Sequence, residues 1–265
     1  MGTPLAHGNP RVKDLRKLSR RPARAGRRLF LADGPNAVEG ALSVPGCVVE
    51  VLATATASER YADLLAAAPA WTLVEDRALA ALRDAVTPAG VVAVCRFLDR
   101  PVDELLAGPA RLLAVCADVR DPGNAGTVIR TADAAGADGV VLAGHSVDAY
   151  NPKTVRASVG SLFTLPLALA ANPAEAVAAA RAGGLVVLAA DGGGEIDLFE
   201  AEGLLARPTA WLFGNEAWGL PAEVAALADH RVRIPIRGRA ESLNLATAAA
   251  VCLYASARAQ PEGTA

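Results

Sequence analysis

Three times after residue 110 the chain runs from a short apolar stretch into a turn bearing glycine or asparagine and then into a helical pattern, an order that leaves few folds open. Leu112–Ala117 leads into RDPGNAGTVIRTADAAGADGVVL (Arg120–Leu142), LFGNEAWGLP occupies Leu212–Pro221, and IPIRGRAESLNLATAAAV occupies Ile234–Val251. Strands are predicted at Leu112–Ala117, Gly139–Leu142, Leu165–Ala170, Leu185–Ala189, Ala210–Phe213 and Arg231–Ile236. Helices at Asn172–Ala182, Pro221–Ala228 and Leu243–Arg258 lie among them. Strands alternating with helices predict a mainly parallel sheet covered on both faces. Such sheets bind ligands at the carboxyl ends of their strands, so three turns converging there frame one site for a small molecule. No GxGxxG follows the first strand of either section, which argues against a dinucleotide-binding turn.

The section before residue 100 reads as a separate small α/β/α unit. VKDLRKLSRRPARAGRR places Val12, Leu15 and Leu18 on one helical stripe, and Pro22 is expected to end that helix. Strands follow at Arg28–Asp33, Cys47–Ala53, Trp71–Val74 and Gly90–Cys95, with helices at Pro35–Leu42, Ser58–Ala68 and Asp76–Arg83 between them. The stretch Leu98–Arg111 is rich in proline and charge and reads as a linker. The domains expected are therefore 1–100 and 111–262, joined by 101–110.

With 265 residues, 52% apolar and 4% aromatic, the chain suits one large or two ordinary domains with an Ala/Val/Leu-rich core. No apolar run approaches the roughly 18–20 residues of a membrane span. The basic amino terminus is followed only by the short run Leu29–Ala32, which is no signal-peptide core, so a cytoplasmic protein is expected. Cys47, Cys95, Cys116 and Cys252 form no CxxC pair and are expected to be reduced and metal-free. His7, His145 and His230 lack helical pairing, which speaks against zinc or histidine chemistry.

The net charge of −2 hides an asymmetry. Residues 1–30 hold nine Lys/Arg and one Asp, a net of +8, which leaves −10 for the rest. A polybasic head suits a polyanion, because each neutralised phosphate releases counterions; the alternative is a solvated tail.

Asn124 and Arg130 in N-x5-R spacing, GNExxG at Gly214–Gly219, and IP and SLN at Ile234–Pro235 and Ser242–Asn244 resemble, in order and spacing, the SpoU family of RNA ribose 2′-O-methyltransferases of the SPOUT superfamily. The resemblance covers about Arg111–Arg258. The opening VKxLRxLxxR and the FLADGPNAVEGAL stretch are similar to the substrate-binding domain that many SpoU proteins carry, itself like the ribosomal L30e/L7Ae group of RNA binders. The resemblance implies a C-terminal α/β trefoil-knot domain, with the SLN segment threaded beneath an earlier loop. It also implies S-adenosyl-L-methionine as cofactor and a homodimer paired through the C-terminal domain.

Residue by residue, the family match makes Asn124, Arg130, Glu216, Ser242 and Asn244 the catalytic candidates. Asn124 is read as the cap of a helix beginning near Ala125. The family's arginine, here Arg130, is credited with activating the ribose hydroxyl. A guanidinium stays protonated in essentially all protein settings, so orienting a phosphate and stabilising a developing alkoxide is the physically easier role. Glu216 can fix a loop by accepting amide hydrogens, hold Arg130 in place, or be a plain surface carboxylate.

Gly214 is read as letting backbone approach the cofactor, and Gly219 as closing the turn. Ile234, Leu243 and Asn244 resemble further cofactor positions, although the side chains of Ile234 and Leu243 equally suit a core. Ser242 is read as the N-cap of the last helix. Asn244, just inside an apolar helix, must find partners if buried. For RNA the candidates are Arg11, Lys13, Arg16, Lys17, Arg20 and Arg21 in the head. Lys153 and Arg156, in YNPKTVRASVGSLFTLP (Tyr150–Pro166), are either phosphate contacts or a solvated helix face.

The expected protein is a methyltransferase acting on the ribose 2′-OH of RNA, of 23S rRNA because a separate amino-terminal domain typifies members that modify it. The alternatives are a tRNA enzyme, a non-catalytic RNA-binding or ribosome-assembly protein, and a small-molecule α/β enzyme. No metal and no membrane partner is expected.

Overall fold

The structure, a computed structural model, describes residues 3–82 and 89–260. Arg83, the last residue of one expected helix, and the expected boundary at 262 lie outside the described residues. Contacts divide the chain into two units, Met1–Leu98 with Asp148–Thr164, and Asp99–Val147 with Leu165–Ala265.

In the first unit β1 (Leu29–Asp33), β2 (Val48–Ala53), β3 (Trp71–Leu73) and β4 (Val91–Arg96) form, among the described residues, a four-stranded sheet in the order β1-β4-β2-β3. β4 is antiparallel to both its neighbours and β3 is parallel to β2. Leu31, Leu52, Val92 and Val94 pack with Val12, Leu15 and Leu18, so the apolar stripe of the basic head lies on one face of this sheet. Phe30, the neighbour of Leu31, points the other way, as strand alternation requires. It meets Tyr150 and Phe163 at ring-centroid distances of 4.8 and 6.0 Å, and Phe97 stacks on Tyr150 at 3.8 Å. A segment distant in sequence thus completes this core.

The head departs from expectation at Pro22. The first helix, Pro10–Arg16, passes into a 3₁₀ turn at Lys17–Ser19, and a second helix, Arg21–Arg27, then begins with Pro22 in its first turn. Proline is tolerated there because no intrahelical bond needs its missing N–H. Arg24 of this helix is only 2% exposed. Its Nη1 donates to the carbonyls of Leu18 and Ser19 at 2.8 Å each, while Nε and Nη2 donate to Asp148 Oδ2 at 2.8 and 2.6 Å. One of the nine basic residues of the head is therefore spent inside the unit. The helix expected at Ser58–Ala68 is likewise two, Ala55–Arg60 and Ala62–Ala67, and Thr54 caps the first.

The second unit holds, among the described residues, a seven-stranded sheet of β5 (Leu112–Ala117), β6 (Gly139–Ala143), β7 (Leu167–Ala170), β8 (Val186–Ala190), β9 (Ile196–Asp197), β10 (Thr209–Phe213) and β11 (His230–Arg233). Every pairing is parallel and the order is β7-β6-β5-β10-β8-β11-β9. β5, β6 and β10 are buried along their whole length, as strands covered on both faces must be. Ala210 and Leu212 of β10 share a core cluster with Ala176, Val177 and Ala180 of helix Pro173–Ala182. Trp211 between them turns to Ser256 of helix Leu245–Ala259, which packs beside helix Pro122–Ala134. The expected fold class, a large parallel α/β sheet preceded by a small α/β unit, is the one observed. The proline-rich stretch after Leu98 carries a short helix, Val102–Leu105, and buries Val102, Leu106 and Ala110 in the second unit's core.

Candidate active site

A cavity of about 300 Å³ opens at the carboxyl ends of β8, β10 and β11. That volume sits at the lower end of the roughly 300–1,000 Å³ typical of small-molecule sites. Asp191 and Gly192 follow β8 into it, residues 214–217 and Gly219 follow β10, and Ile234 and Ile236 follow β11. Residues 241–243, Leu245 and Ala248, with Ala190, Phe213 and Val232 at the strand ends, complete the lining. Of the sequence candidates, Gly214, Glu216, Gly219, Ile234, Ser242 and Leu243 are thus brought together.

A chain of side-chain hydrogen bonds runs along the site. Asn244 Nδ2 donates to Asn124 Oδ1 at 3.1 Å, and Asn124 Nδ2 donates to Glu216 Oε1 at 3.2 Å, joining residues 120 and 92 positions apart. The Glu216 carboxylate also accepts from the backbone N–H of Arg120 at 3.0 Å and of Asp121 at 2.9 Å. It is a loop-fixing carboxylate, one of the options its sequence left open.

The polarity of this chain is set at both ends. Asn244 Oδ1 accepts from Ala246 N and Thr247 N, which leaves only its amide group to face Asn124. Burial opposes ionisation of Glu216, but the amides of Arg120 and Asp121, its own amide and Asn124 outweigh it. The carboxyl is held below its ordinary range and accepts at every bond.

Both helix caps differ from expectation. Asp121 caps helix Pro122–Ala134, accepting from Asn124 N at 2.8 Å, and so frees the Asn124 carboxamide for the network. Asn244, with φ −54° and ψ 144°, caps helix Leu245–Ala259, and Ser242 lies two residues outside it on the cavity wall. Proline directly after Asp121 was a readable sign of the first cap.

The loop after β10 is held from within. Asn215 and Gly219 exchange two backbone hydrogen bonds at 2.9 Å, with Gly219 at φ +69°. Asn215, only 6% exposed, donates from Nδ2 to Asp118 O at 2.8 Å and accepts from Ala217 N at 2.8 Å. A Cβ on Gly214 would clash with the backbone of Gly219 and stand 2.5 Å from Leu220 N. The close approach that Gly214 permits is therefore to its own loop.

Asp118, at φ +56°, turns its carbonyl to Asn215 and accepts from His145 N at 2.6 Å, tying the loops after β5, β6 and β10 together. Asn215, Asp118, Asp191 and Glu241 escaped the sequence reading. Only Asn215 had a signal, as the middle letter of GNE.

Arg130 stands apart. It is exposed on helix Pro122–Ala134 and does not line the cavity, and six residues of helix place it about 9 Å further along the axis than Asn124. In the first unit Lys13, Arg16, Arg20 and Arg21 are exposed, while Arg11 and Lys17 pair with Glu50 and Asp14. Lys153 and Arg156 are exposed on helix Pro152–Ser158 of the same unit.

Ile236 and Leu243, 38% and 37% exposed, offer apolar surface in the cavity beside the carboxylates of Asp191, Glu216 and Glu241. That lining fits a ligand with a flat apolar part and a positive centre. No group of His, Cys, Asp and Glu that could hold a metal occurs among the described residues. No described helix is long and apolar enough to cross a membrane.

Residues 111–254 match the SpoU rRNA Methylase family, and residues 9–93 match the MRM3-like substrate binding domain. A 23S rRNA (guanosine(2553)-2′-O)-methyltransferase of Bacillus subtilis (strain 168) is 36% identical over 93% of this chain and 95% of its own length. A 23S rRNA (uridine(2479)-2′-O)-methyltransferase of Streptomyces viridochromogenes is 42% identical over 66% of this chain and 62% of its own. Among solved structures, the SpoU methyltransferase AviRb from Streptomyces viridochromogenes in complex with AdoMet superposes with a TM-score of 0.86 at 33% identity, covering 94% of this chain and 97% of the other. An AdoMet-bound rRNA methyltransferase from Sinorhizobium meliloti gives 0.82 at 34% identity, covering 94% and 95%.

Proposed function

The chain belongs to the SpoU rRNA methylase family, and from that premise and its site we infer that it transfers a methyl group from S-adenosyl-L-methionine to a ribose 2′-hydroxyl of ribosomal RNA. The observation that carries this reading is the convergence of Asn124, Glu216 and Asn244 in one hydrogen-bonded chain beside a cavity with apolar and acidic lining.

The cofactor supplies a methyl carbon already activated by a sulfonium leaving group. What remains for the protein is alignment of donor and acceptor and care of the hydroxyl proton. Gly214, Gly219, Ile234 and Leu243 shape the cofactor cavity, with Ile236 and Leu243 giving it apolar walls. The carboxylates of Asp191 and Glu241 favour a positive centre there. Glu216, by holding the amides of Arg120 and Asp121, fixes the turn that starts helix Pro122–Ala134 and so the approach of Asn124 and Arg130. Ser242 and Asn244 complete the acceptor side.

In this proposal Arg130 meets the acceptor once RNA is bound, orienting a phosphate and stabilising the negative charge that develops on the 2′-oxygen as the C–S bond breaks, the O–CH3 bond forms and the hydroxyl proton passes to water. The head residues Arg11, Lys13, Arg16, Lys17, Arg20 and Arg21, with Lys153 and Arg156, contact RNA phosphates. The substrate proposed is 23S rRNA, and the protein acts in the cytoplasm as a homodimer paired through a knotted C-terminal domain.

The test is methyl transfer from labelled S-adenosyl-L-methionine to bacterial 23S rRNA, followed by nuclease digestion and nucleoside mass analysis. The wild type yields a 2′-O-methylnucleoside, Arg130→Ala yields none, and Arg130→Lys keeps part of the activity if charge alone suffices. Cofactor binding without transfer to 23S rRNA, together with transfer to tRNA, would replace the substrate assignment.

A further inference from the structure

The loop between Asn215 and Gly219 carries an indole that the catalytic reading leaves unused. Trp218 is 60% exposed, whereas Trp211 is fully buried and Trp71 is partly buried with its Nε1 bonded to Ser58. Large aromatic side chains ordinarily bury their faces; Phe199 and Tyr254 are exposed as well, but Trp218 alone of the three sits in a loop whose neighbours line the cavity. Trp218 is held out by a rigid turn. The paired backbone bonds of Asn215 and Gly219 close the loop, and the Asn215 side chain fastens it to Asp118 O and Ala217 N.

The position of this indole relative to the cavity is specific. Glu216, Ala217 and Gly219 all line the cavity and Trp218 does not, so the ring stands on the outer rim while its neighbours face inward. Ile236 and Leu243, the other large apolar residues exposed at this site, do line the cavity assigned above to the cofactor. Trp218 is left for whatever approaches from outside. Both charges occur nearby: Glu216 and Glu241 line the cavity, and three exposed arginines lie on segments that lead to it. Arg120, whose amide is held by Glu216 of the same loop, is exposed, and so are Arg237 and Arg239 in the segment that joins Ile236 to Glu241.

We propose that Trp218 is a stacking platform for an unpaired nucleobase of the RNA, the base of the acceptor nucleotide or of its immediate neighbour, and thereby a specificity-determining residue. The inference rests on the methyltransferase reading above. A 2′-hydroxyl must be brought to the rim of the cofactor cavity, and unstacked bases in loops and bulges are what proteins read by stacking on aromatic side chains. Because the indole is already fixed, docking a base on it orders no further loop, and the adjacent guanidinium groups take the flanking phosphates.

The experiment uses the full chain, wild type and with Trp218→Ala and Trp218→Phe, and four readouts. These are cofactor affinity, KM and kcat for deproteinised 23S rRNA, oligomeric state by light scattering, and, in a Trp71→Phe background, tryptophan fluorescence on adding that rRNA. The expected result for Trp218→Ala is a KM for RNA raised about tenfold or more, with cofactor affinity and oligomeric state kept. Trp218→Phe, which retains an aromatic face, recovers most of the loss. RNA quenches the fluorescence where Trp218 is present and leaves it unchanged in Trp218→Ala.

An unchanged KM in Trp218→Ala, or absence of quenching, would overturn the proposal. Dissociation of the oligomer would instead place the indole against a second copy of the chain, and a parallel fall in cofactor affinity would place it on the cofactor; either outcome overturns it too. If the wild type methylates no RNA, the enzymatic reading fails, and the stacking role fails with it. Methylation by the wild type with a fully active Trp218→Ala variant sinks the stacking role alone.

Discussion

The two ends of β5 and β10 carry similar polar chemistry and treat it in opposite ways. At the amino ends, Thr209 Oγ1 and Trp211 Nε1 donate to Ser256 Oγ at 3.2 and 2.9 Å. Gln260 Nε2 donates to the carbonyls of Arg111 and Arg207 at 3.0 and 2.8 Å. Thr209, Ser256 and Gln260 are buried, and the cluster covers the amino ends of these two interior strands. At the carboxyl ends Glu216, Asn124 and Asn244 make a comparable set of bonds, but Glu216 and Asn244 are exposed, Asn124 is half-buried, and Glu216 lines a cavity. The closed end turns hydrogen bonds into stability, since removing a partner there leaves a buried group unsatisfied. The open end turns them into position, holding groups ready for a ligand.

The comparison is tested most severely by Gly214→Ala. The added Cβ meets the backbone of Gly219 and Leu220, so the loop must shift. Methyl transfer is expected to fall about a hundredfold or more while circular dichroism stays native. A fully active variant would show that the open end needs no fixed loop.

Glu216→Gln comes next. An amide cannot accept at every bond that the carboxylate makes with Arg120, Asp121 and Asn124, and kcat/KM is expected to drop about tenfold with little change in Tm. The same carboxyl sets a pH dependence. Because its folded value lies below the ordinary one of about 4.3, its contribution is complete above that value and is lost as pH falls through the depressed one. Methyl transfer should therefore fall as the pH drops below the ordinary carboxylate range, more steeply in the wild type than in Glu216→Gln.

At the closed end the signs reverse. Gln260→Ala should cost about 1–2 kcal/mol, read as a fall in Tm, with KM and kcat at 25 °C kept. A kinetic defect in place of a stability defect would mean that the two ends are not separate. Trp211→Phe, which removes one donor to Ser256 and the second ring of a fully buried indole, is expected to cost about 1–2 kcal/mol by thermal melting.

How legible was this in the sequence? The parallel sheet was, because fully buried strands such as β5 leave unbroken apolar runs and the helices between them carry their own period. The three turn blocks pointed to one sheet edge for the same reason. The caps were misread because Ser242 and Asn244 have equally suitable side chains two residues apart. Backbone dihedral angles, which composition does not reveal, make Asn244 the cap. Arg24 read as one more charge of the head, yet its partner Asp148 lies 124 positions away, a distance at which no periodicity survives. The Asn244–Asn124–Glu216 chain was invisible for that reason too. Its members could be named singly, but their connection is a product of the folded sheet.

One feature of the first unit bears on how the protein is made. Its core includes Tyr150 and Phe163, and its buried Arg24 is matched by Asp148, so this unit remains incomplete when synthesis reaches Leu98. Between that point and Thr164 the ribosome must add the stretch that contains β5 and β6. At roughly 5–20 residues per second this delay lasts several seconds, during which Phe30 lacks its cover. The amino-terminal unit therefore finishes folding only after the first strands of the other have emerged, and a fragment ending at residue 98 would stay in that unfinished state.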